Sequence, residues 1–265
     1  MKVRRYAQSA LKQARALKPR SFARYVVWRA RGNPYDTRVR LRNGLVLEVR
    51  GGGGDYWTIS EIFFYGQYVM PPGAPADVRT VVDTGANVGY AALWFLREHP
   101  RCRVTAFEPL PSHVAQIEKH LSGNGLRDRV DLVAAAAATA DGSAVFQDAG
   151  PESRPAEAGA GGVEVQLVDW FAHLPEGTID VLKMDIEGGE IPLLDDPRFP
   201  DVARRTRVVV LEWHKATSDR GGRDWCAERL QDAGFEVTDG AQYYGAAGIL
   251  WGVRTAVQDP VTSAA

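Results

Sequence analysis

The spacing of apolar positions near the start of the chain predicts two helices and a hairpin. Apolar residues recur every three or four positions over residues 3–17, which is typical of an amphipathic helix that ends before Pro19. A second short helix is expected over residues 21–31. Beyond it, apolar and polar residues alternate on both sides of Asn43 and Gly44, a dipeptide that favours the tight turn of a β-hairpin.

A glycine run and an aromatic helix follow the hairpin. In "GGGGDYWTISEIFFYGQYVM" the glycines occupy residues 51–54, and Thr58 with Glu61 fits a capping box at the start of a helix that would reach Val69. Glycines are permissive hinges, so one interpretation is a lid that closes over a ligand. The other interpretation is that its aromatic side chains are ordinary core. The residues concerned are Tyr56, Tyr65 and Tyr68.

From residue 78 onward, short apolar strands alternate with amphipathic helices. This alternation is typical of βαβ units and predicts a doubly wound α/β sheet. Two further strands surround a loop rich in glycine, proline and alanine, residues 150–162, which we expect to be mobile. The predicted division is a basic helical arm (1–35), a hairpin with a lid-like helix (36–77), an α/β domain (78–256) and a tail (257–265).

The charge is distributed unevenly along the chain. Hydrophobic residues make up 45% and charged residues 25% of the 265 residues, which is globular composition and excludes a disordered chain. The formal net charge of −1 conceals two oppositely charged parts. Residues 1–31 contain ten Lys/Arg and no Asp/Glu, a charge of +10, and the remaining residues carry a charge of −11. This arm suits an anionic membrane surface, a carrier protein or a nucleic acid. The favoured alternative is a solvated arm whose apolar stripe packs on its own core or on a sister subunit of a homo-oligomer.

Two negative observations bear on the compartment. The sequence has no apolar run of about 18 residues for a membrane span, and the basic N-terminus has no apolar segment of a signal peptide. We therefore expect a cytoplasmic protein. The only cysteines, Cys102 and Cys226, are too few for a disulfide framework or a cysteine zinc site, and are interpreted as free thiols.

The first candidate site is a glycine turn after a strand. In "VVDTGANVGY" a strand ends at Asp83, the chain turns through Gly85, and a helix begins near Gly89. The next strand ends in Glu108, at the position where doubly wound sheets place an acid that binds ribose hydroxyls. The spacing D-x-G-x-x-x-G lacks the middle glycine that lets a pyrophosphate approach. A carboxylate beside the turn is also unfavourable for a diphosphate, so a cationic ligand with a ribose is favoured.

The second candidate site follows the strand "TIDVLKMD". Period-2 alternation places Lys183 and Asp185 on one side of this strand, at the edge where open α/β sheets bind ligands. Glu187 follows in the turn. Glu190 falls in the first helical turn, where a carboxylate is equally explained as a partner of the helix dipole.

The strand "VVVLEWH" brings Glu212 and His214 to the same edge. A carboxylate and an imidazole that meet Asp185 and Glu187 could deprotonate an acceptor hydroxyl or hold a divalent cation such as Mg²⁺. We favour the metal-free alternative, because Lys183 already supplies positive charge at this edge.

The motifs "VVDTGANVGY", "AFEP" and "VLKMDIEGGE", with "SEIFFYGQY" upstream, resemble the FkbM family of class I S-adenosylmethionine-dependent methyltransferases over residues 61–254. The resemblance implies a Rossmann-like sheet of seven strands, the last antiparallel, and O-methylation of a hydroxyl on a small molecule, a sugar or a secondary metabolite, rather than on a nucleic acid. It also implies that the glycine turn surrounds the methionine part of the cofactor and that Glu108 takes the ribose. The implied cofactor residues are Asp83, Gly85, Ala86, Asn87, Gly89, Glu108, Pro109 and Asp185, and the candidate catalytic residues are Asp185, Glu187, Glu212 and His214.

Two other functions remain as alternatives. One is an NAD(P)-binding oxidoreductase of similar fold, which the missing glycine of the dinucleotide pattern disfavours. The other is a non-catalytic module that docks on a membrane or a carrier protein through the basic arm.

Overall fold

The computed structural model describes residues 2–147, 154–155, 161–214, 221–243 and 247–254. Its N-terminal part has the two predicted helices, α1 (Lys2–Ala16) and α2 (Pro19–Ala30). Pro19 is the first residue of α2 as well as the residue that separates the two helices. Proline is tolerated there because the backbone N–H that it lacks would have no partner in the first helical turn.

The predicted hairpin is confirmed. Strand β1 (Thr37–Arg40) pairs antiparallel with β2 (Val46–Val49), and Gly44 lies in the turn with a positive φ of 99°. The alternation places one face of the hairpin in the core. Its buried members are Val39, Leu41, Leu45, Leu47 and Val49.

The described part of the arm packs partly on the protein's own core. Leu17, Tyr25 and Trp28 are at most 1% exposed, and the Tyr25 ring meets Phe64 edge to face at a centroid distance of 5.8 Å. Leu11, a member of the predicted apolar stripe, is instead 52% exposed. The arm therefore contributes apolar surface to the core and leaves apolar surface outside.

The helix after the glycine run differs from the prediction. Helix α3 (Asp55–Ile59) begins directly after Gly54 and passes into a π-helical turn at Ser60–Phe64, well before Val69. The prediction of a capping box is therefore wrong, since Thr58 lies inside helix α3 and not at its start. The helix start is set by buried Asp55, which accepts hydrogen bonds from the backbone N–H of Arg50 (2.9 Å) and from its guanidinium (2.8 Å).

The burial of Ile59, Ile62, Phe64 and Tyr68 favours ordinary core packing for most of the predicted lid. Tyr65 is 54% exposed. Movement of this segment over a ligand stays a prediction.

The seven-stranded sheet predicted for the rest of the chain is confirmed. Six strands are parallel, and the last in sequence is antiparallel to its two neighbours. In chain order they are β3 (Thr80–Thr84), β4 (Arg103–Phe107), β5 (Val130–Val133), β10 (Ile179–Met184), β11 (Thr206–His214), β12 (Glu236–Tyr243) and β13 (Ala247–Val253), and their order in the sheet is β12-β13-β11-β10-β3-β4-β5.

Helices cover both faces of the sheet, as a doubly wound fold requires. One face packs with α4 (Tyr90–Glu98), α5 (Pro111–Asn124), the hairpin and the arm, and the other with α6 (Glu190–Asp195), α7 (Phe199–Arg204) and α8 (Arg223–Asp232). All six residues of β10 are buried. This strand carries the second candidate site on its carboxyl end.

The excursion between β5 and β10 forms a second, small sheet. Its strands are β6 (Ala136–Ala138), β7 (Gly142–Gln147), β8 (Arg154–Pro155) and β9 (Val163–Asp169). Most of the loop 150–162 and the tail 257–265 lie outside the described residues, so their predictions and the exact domain limits stay predictions.

Cys102 and Cys226 are free and buried, as interpreted from the sequence. Burial raises the pKa of the Cys102 thiol to about 11 and that of Cys226 to about 12. No helix in the described part of the chain is both long and apolar enough to cross a bilayer.

Candidate active site

The glycine turn lies tightly against the end of strand β10. Gly85 has a φ of 88°, and a Cβ added to it would lie 1.9 Å from the carbonyl oxygen of Asp185. The backbone N–H groups of Gly85 and Ala86 both donate to the carbonyl of Phe107, at 3.2 and 2.9 Å. Only glycine therefore fits at position 85.

Glu108 is held rigidly at the end of β4. It is 4% exposed, and its carboxylate accepts hydrogen bonds from the backbone N–H of Asn87 (2.8 Å) and of Leu110 (3.0 Å). Nδ1 of His113 lies 3.2 Å from the same carboxylate. His113 was missed by sequence reasoning, because it lies on α5 and no local motif connects it with Glu108.

One cavity joins the two candidate sites. Of the predicted cofactor residues, Gly85, Asn87, Glu108, Pro109 and Asp185 line it, together with Glu187 from the predicted catalytic set. The predicted cofactor residues Asp83, Ala86 and Gly89 do not line it, and neither do the predicted catalytic residues Glu212 and His214.

The far end of this cavity is apolar, and the sequence did not reveal it. The small sheet contributes Ala136, Ala144, Phe146 and Leu167, and the end of β4 contributes Phe107. These residues are scattered over the excursion strands and have no common motif. The cavity is thus polar at the glycine turn and apolar at the small sheet.

Lys183 explains the density of acids at the end of β10. Its side chain is 3% exposed, and its ammonium group lies 3.0 Å from Asp83 and 3.5 Å from Asp185 and donates to the carbonyl of Gly85 at 2.7 Å. Burial alone would lower the pKa of Lys183, but the two carboxylates outweigh it and hold the pKa above its usual value. Asp83 therefore acts beneath the cavity, through Lys183.

The structure also brings together the four predicted catalytic residues. Nε2 of His214 lies 3.4 Å from Glu187 and 3.9 Å from Glu212. Asp185, Glu212 and His214 each offer an oxygen or nitrogen atom within 4.8 Å of the others. Glu187 has a φ of 52°, a left-handed conformation that is uncommon for a non-glycine residue and is found at functional turns.

Glu61 is a further member of this acidic group that the sequence analysis assigned to a capping box. It lies on the π-helical turn, an arrangement often found at functional sites. Burial and the nearby charge of Asp185 raise the pKa of Glu61 to about 7. The pKa of Glu212 is also raised well above its usual value, first by burial and then by the charges of Asp185 and Glu61.

Glu190 has a local structural role. Its carboxylate accepts hydrogen bonds from the backbone N–H of Ile186 (2.6 Å) and of Gly188 (2.9 Å). It therefore closes the turn that follows β10, in agreement with the alternative that made it a helix-start residue.

Comparison with known proteins places the candidate sites within one protein family. The model of the "Methyltransferase FkbM domain" matches residues 83–237, more than half of the chain. The AMB antimetabolite synthetase AmbE of Pseudomonas aeruginosa is 28% identical over 227 residues, which cover 68% of this chain but only 10% of AmbE. Methyltransferase sdnD of Sordaria araneosa is 25% identical over 197 residues, which cover 60% of this chain and 74% of sdnD.

Among solved structures, the methyltransferase FkbM from Methylobacillus flagellatus KT superposes with a TM-score of 0.50 at 11% sequence identity. The match covers 94% of this chain and 59% of that protein. The likeness shows that the two proteins share a fold.

We predict that Gly85→Ala severely disturbs the glycine turn. The new methyl group would collide with the backbone of Asp185, and the positive φ is unfavourable for alanine. Thermal unfolding should show a loss of several degrees, because a strained substitution costs on the order of 1–3 kcal/mol. Gly123→Ala is the matched control, since it lies in helix α5 with open space around it and should be neutral or stabilising. Equal melting temperatures for the two variants would contradict the assigned geometry.

We predict that Glu61→Gln changes stability in a pH-dependent way. Because the folded-state pKa of about 7 exceeds the ordinary 4.5, the folded protein retains a proton that the unfolded chain releases, and stability falls as pH rises between these values. Glutamine removes this penalty. The melting temperature of the variant, relative to the wild-type protein, should therefore be higher at pH 8 than at pH 5. The same offset at both pH values would contradict the prediction, and Glu98→Gln on the exposed end of α4 is the control.

Proposed function

This chain belongs to the FkbM methyltransferase family, and on that premise we propose that it transfers a methyl group from S-adenosylmethionine to a hydroxyl of a small molecule. The observation that carries the proposal is the single cavity whose wall runs from Glu108 to Asp185 and Glu187. A cofactor held at Glu108 would have its reactive end near Asp185 and Glu187, and the candidate base His214 lies 3.4 Å from Glu187. The antimetabolite synthetase among the relatives supports a secondary metabolite as the acceptor.

The residues around the cavity fit S-adenosylmethionine. The apolar end at Phe107, Phe146 and Leu167 suits the adenine, and the buried carboxylate of Glu108 suits the ribose hydroxyls. The polar end at Gly85 and Asp185 suits the charged amino-acid part. When bound, the cofactor supplies an electrophilic sulfonium methyl group.

The acceptor hydroxyl must lose its proton, and His214 is the proposed base. Its imidazole takes the proton, and the carboxylate of Glu187, 3.4 Å from Nε2, stabilises the resulting imidazolium, with Glu212 at 3.9 Å. Glu187 and Glu212 also orient the ring, so that the base is in position before the acceptor reacts.

Lys183 supports a mechanism without a metal ion. Its ammonium group is 3.5 Å from Asp185 and already neutralises part of the charge that a divalent cation would otherwise balance. Methyl transfer from a sulfonium needs correct alignment and a base. The proposed catalytic group is therefore His214 with Glu187 and Glu212, and Asp185 holds the cofactor side.

Cofactor binding provides the first test. S-adenosylhomocysteine, but not NAD, should bind the purified protein in titration calorimetry. Glu108→Ala should weaken this binding about tenfold to a hundredfold, because charge-assisted hydrogen bonds worth roughly 1.5–3 kcal/mol are lost. Glu118→Ala on the exposed side of α5 is the control. Unchanged affinity in folded Glu108→Ala would reject the ribose assignment, and binding of NAD in place of S-adenosylhomocysteine would reject the methyltransferase proposal.

The second test addresses the base. His214→Ala should lower the methylation rate at saturating cofactor by about 10²–10⁴ and leave the affinity for S-adenosylhomocysteine nearly unchanged. His173→Ala, at an exposed position, should leave the rate unchanged. Full activity in His214→Ala would remove this residue from the mechanism. Loss of activity in EDTA that Mg²⁺ restores would overturn the metal-free mechanism.

A further inference from the structure

A groove lined by positive charge lies on the outside of the arm, and the methyltransferase proposal does not use it. Its wall consists of the first turn of α2 and the outward face of β1. We call it the basic face. Its charged members are Lys18, Arg20, Arg24, Arg38 and Arg40.

The basic face is built on a fixed backbone. The N–H of Arg40 donates to the hydroxyl of Ser21 at 2.9 Å, and the N–H of Lys18 donates to the carbonyl of Arg40 at 2.9 Å. Ser21 is buried, so the helix start and the strand are held against each other. The charges are therefore presented by a rigid surface.

Most of this positive charge has no acidic partner. Arg38 pairs with Glu48, but within the described ranges no ion pair reaches Lys18, Arg20 or Arg40. Arg24 donates to the hydroxyl of Thr37 at 3.5 Å and makes no ion pair among the residues that the structure describes. Five cations thus meet one carboxylate, and a concentration of like charge at this density attracts a polyanionic surface.

Apolar side chains lie next to these charges on the same exposed side of α2. Arg20, Arg24 and Val27 follow one another at spacings of four and three, which places them on one helical face. Val26 and Val27 are 41% and 49% exposed. The opposite face of the helix is buried.

We propose that the basic face docks the protein on the anionic surface of a lipid bilayer. Arginines and lysine contact the phosphate headgroups, and the exposed valines reach the boundary with the acyl chains. A lipid surface accounts for the valines as well as the charges. A nucleic acid would favour aromatic side chains that stack on bases, and the groove lining contains none.

Sedimentation with vesicles tests this proposal on the full chain. The protein should sediment with vesicles of phosphatidylcholine and phosphatidylglycerol but not with phosphatidylcholine alone, and high salt should release it. Each cation near an anionic surface contributes about fivefold to binding, so the triple variant R20E/R24E/R40E should lose more than about a hundredfold. The matched control reverses three exposed arginines elsewhere, R101E/R103E/R204E, and should still bind.

Further outcomes identify the occupant. The double variant V26S/V27S should bind the anionic vesicles more weakly than the wild-type protein. All variants should bind S-adenosylhomocysteine and keep the melting temperature of the wild-type protein, which shows that they remain folded. Unchanged vesicle binding in the arginine triple variant would overturn the proposal. So would unchanged binding in the valine pair, or a single-stranded RNA oligonucleotide that binds more tightly than the anionic vesicles.

Discussion

The buried ammonium group of Lys183 is the interaction on which the site depends. It holds together two segments that the sequence separates by about a hundred residues. One is the end of β3 with the glycine turn, at Asp83 and Gly85, and the other is the end of β10 at Asp185. Removing one partner from such a group leaves uncompensated charge in a medium of low polarity, which is far more costly than the net gain from forming the pair. The first and second candidate sites are therefore one electrostatic unit.

Much of this unit could be predicted from the sequence, because it follows from two local rules. Strands alternate their side chains, and parallel strands end at a common edge. These rules brought Asp185, Glu187, Glu212 and His214 together correctly. The glycine turn was equally predictable, since its positive φ angles restrict the residue types that fit.

The remaining parts could not be predicted, because packing between distant segments decides them. Glu61 was assigned to a helix start on a local signal, whereas the ion pair of Asp55 with Arg50 begins the helix earlier and the π-helical turn redirects the residues beyond it. His113 and Phe146 likewise reach the cavity only after α5 and the small sheet have packed. None of these three residues belongs to a motif that identifies its role.

The position of Glu61 bears on how such a protein can be divided or inherited. The family match begins at residue 83, yet a carboxylate that shifts the electrostatics of the crevice lies upstream of it, and the arm and hairpin cover the same face of the sheet as Tyr90 and Phe95. A recombination event that carried only the matched segment into a new gene would expose that face and change the charge of the crevice. The segment that must be transferred intact is therefore longer than the segment that the family model matches.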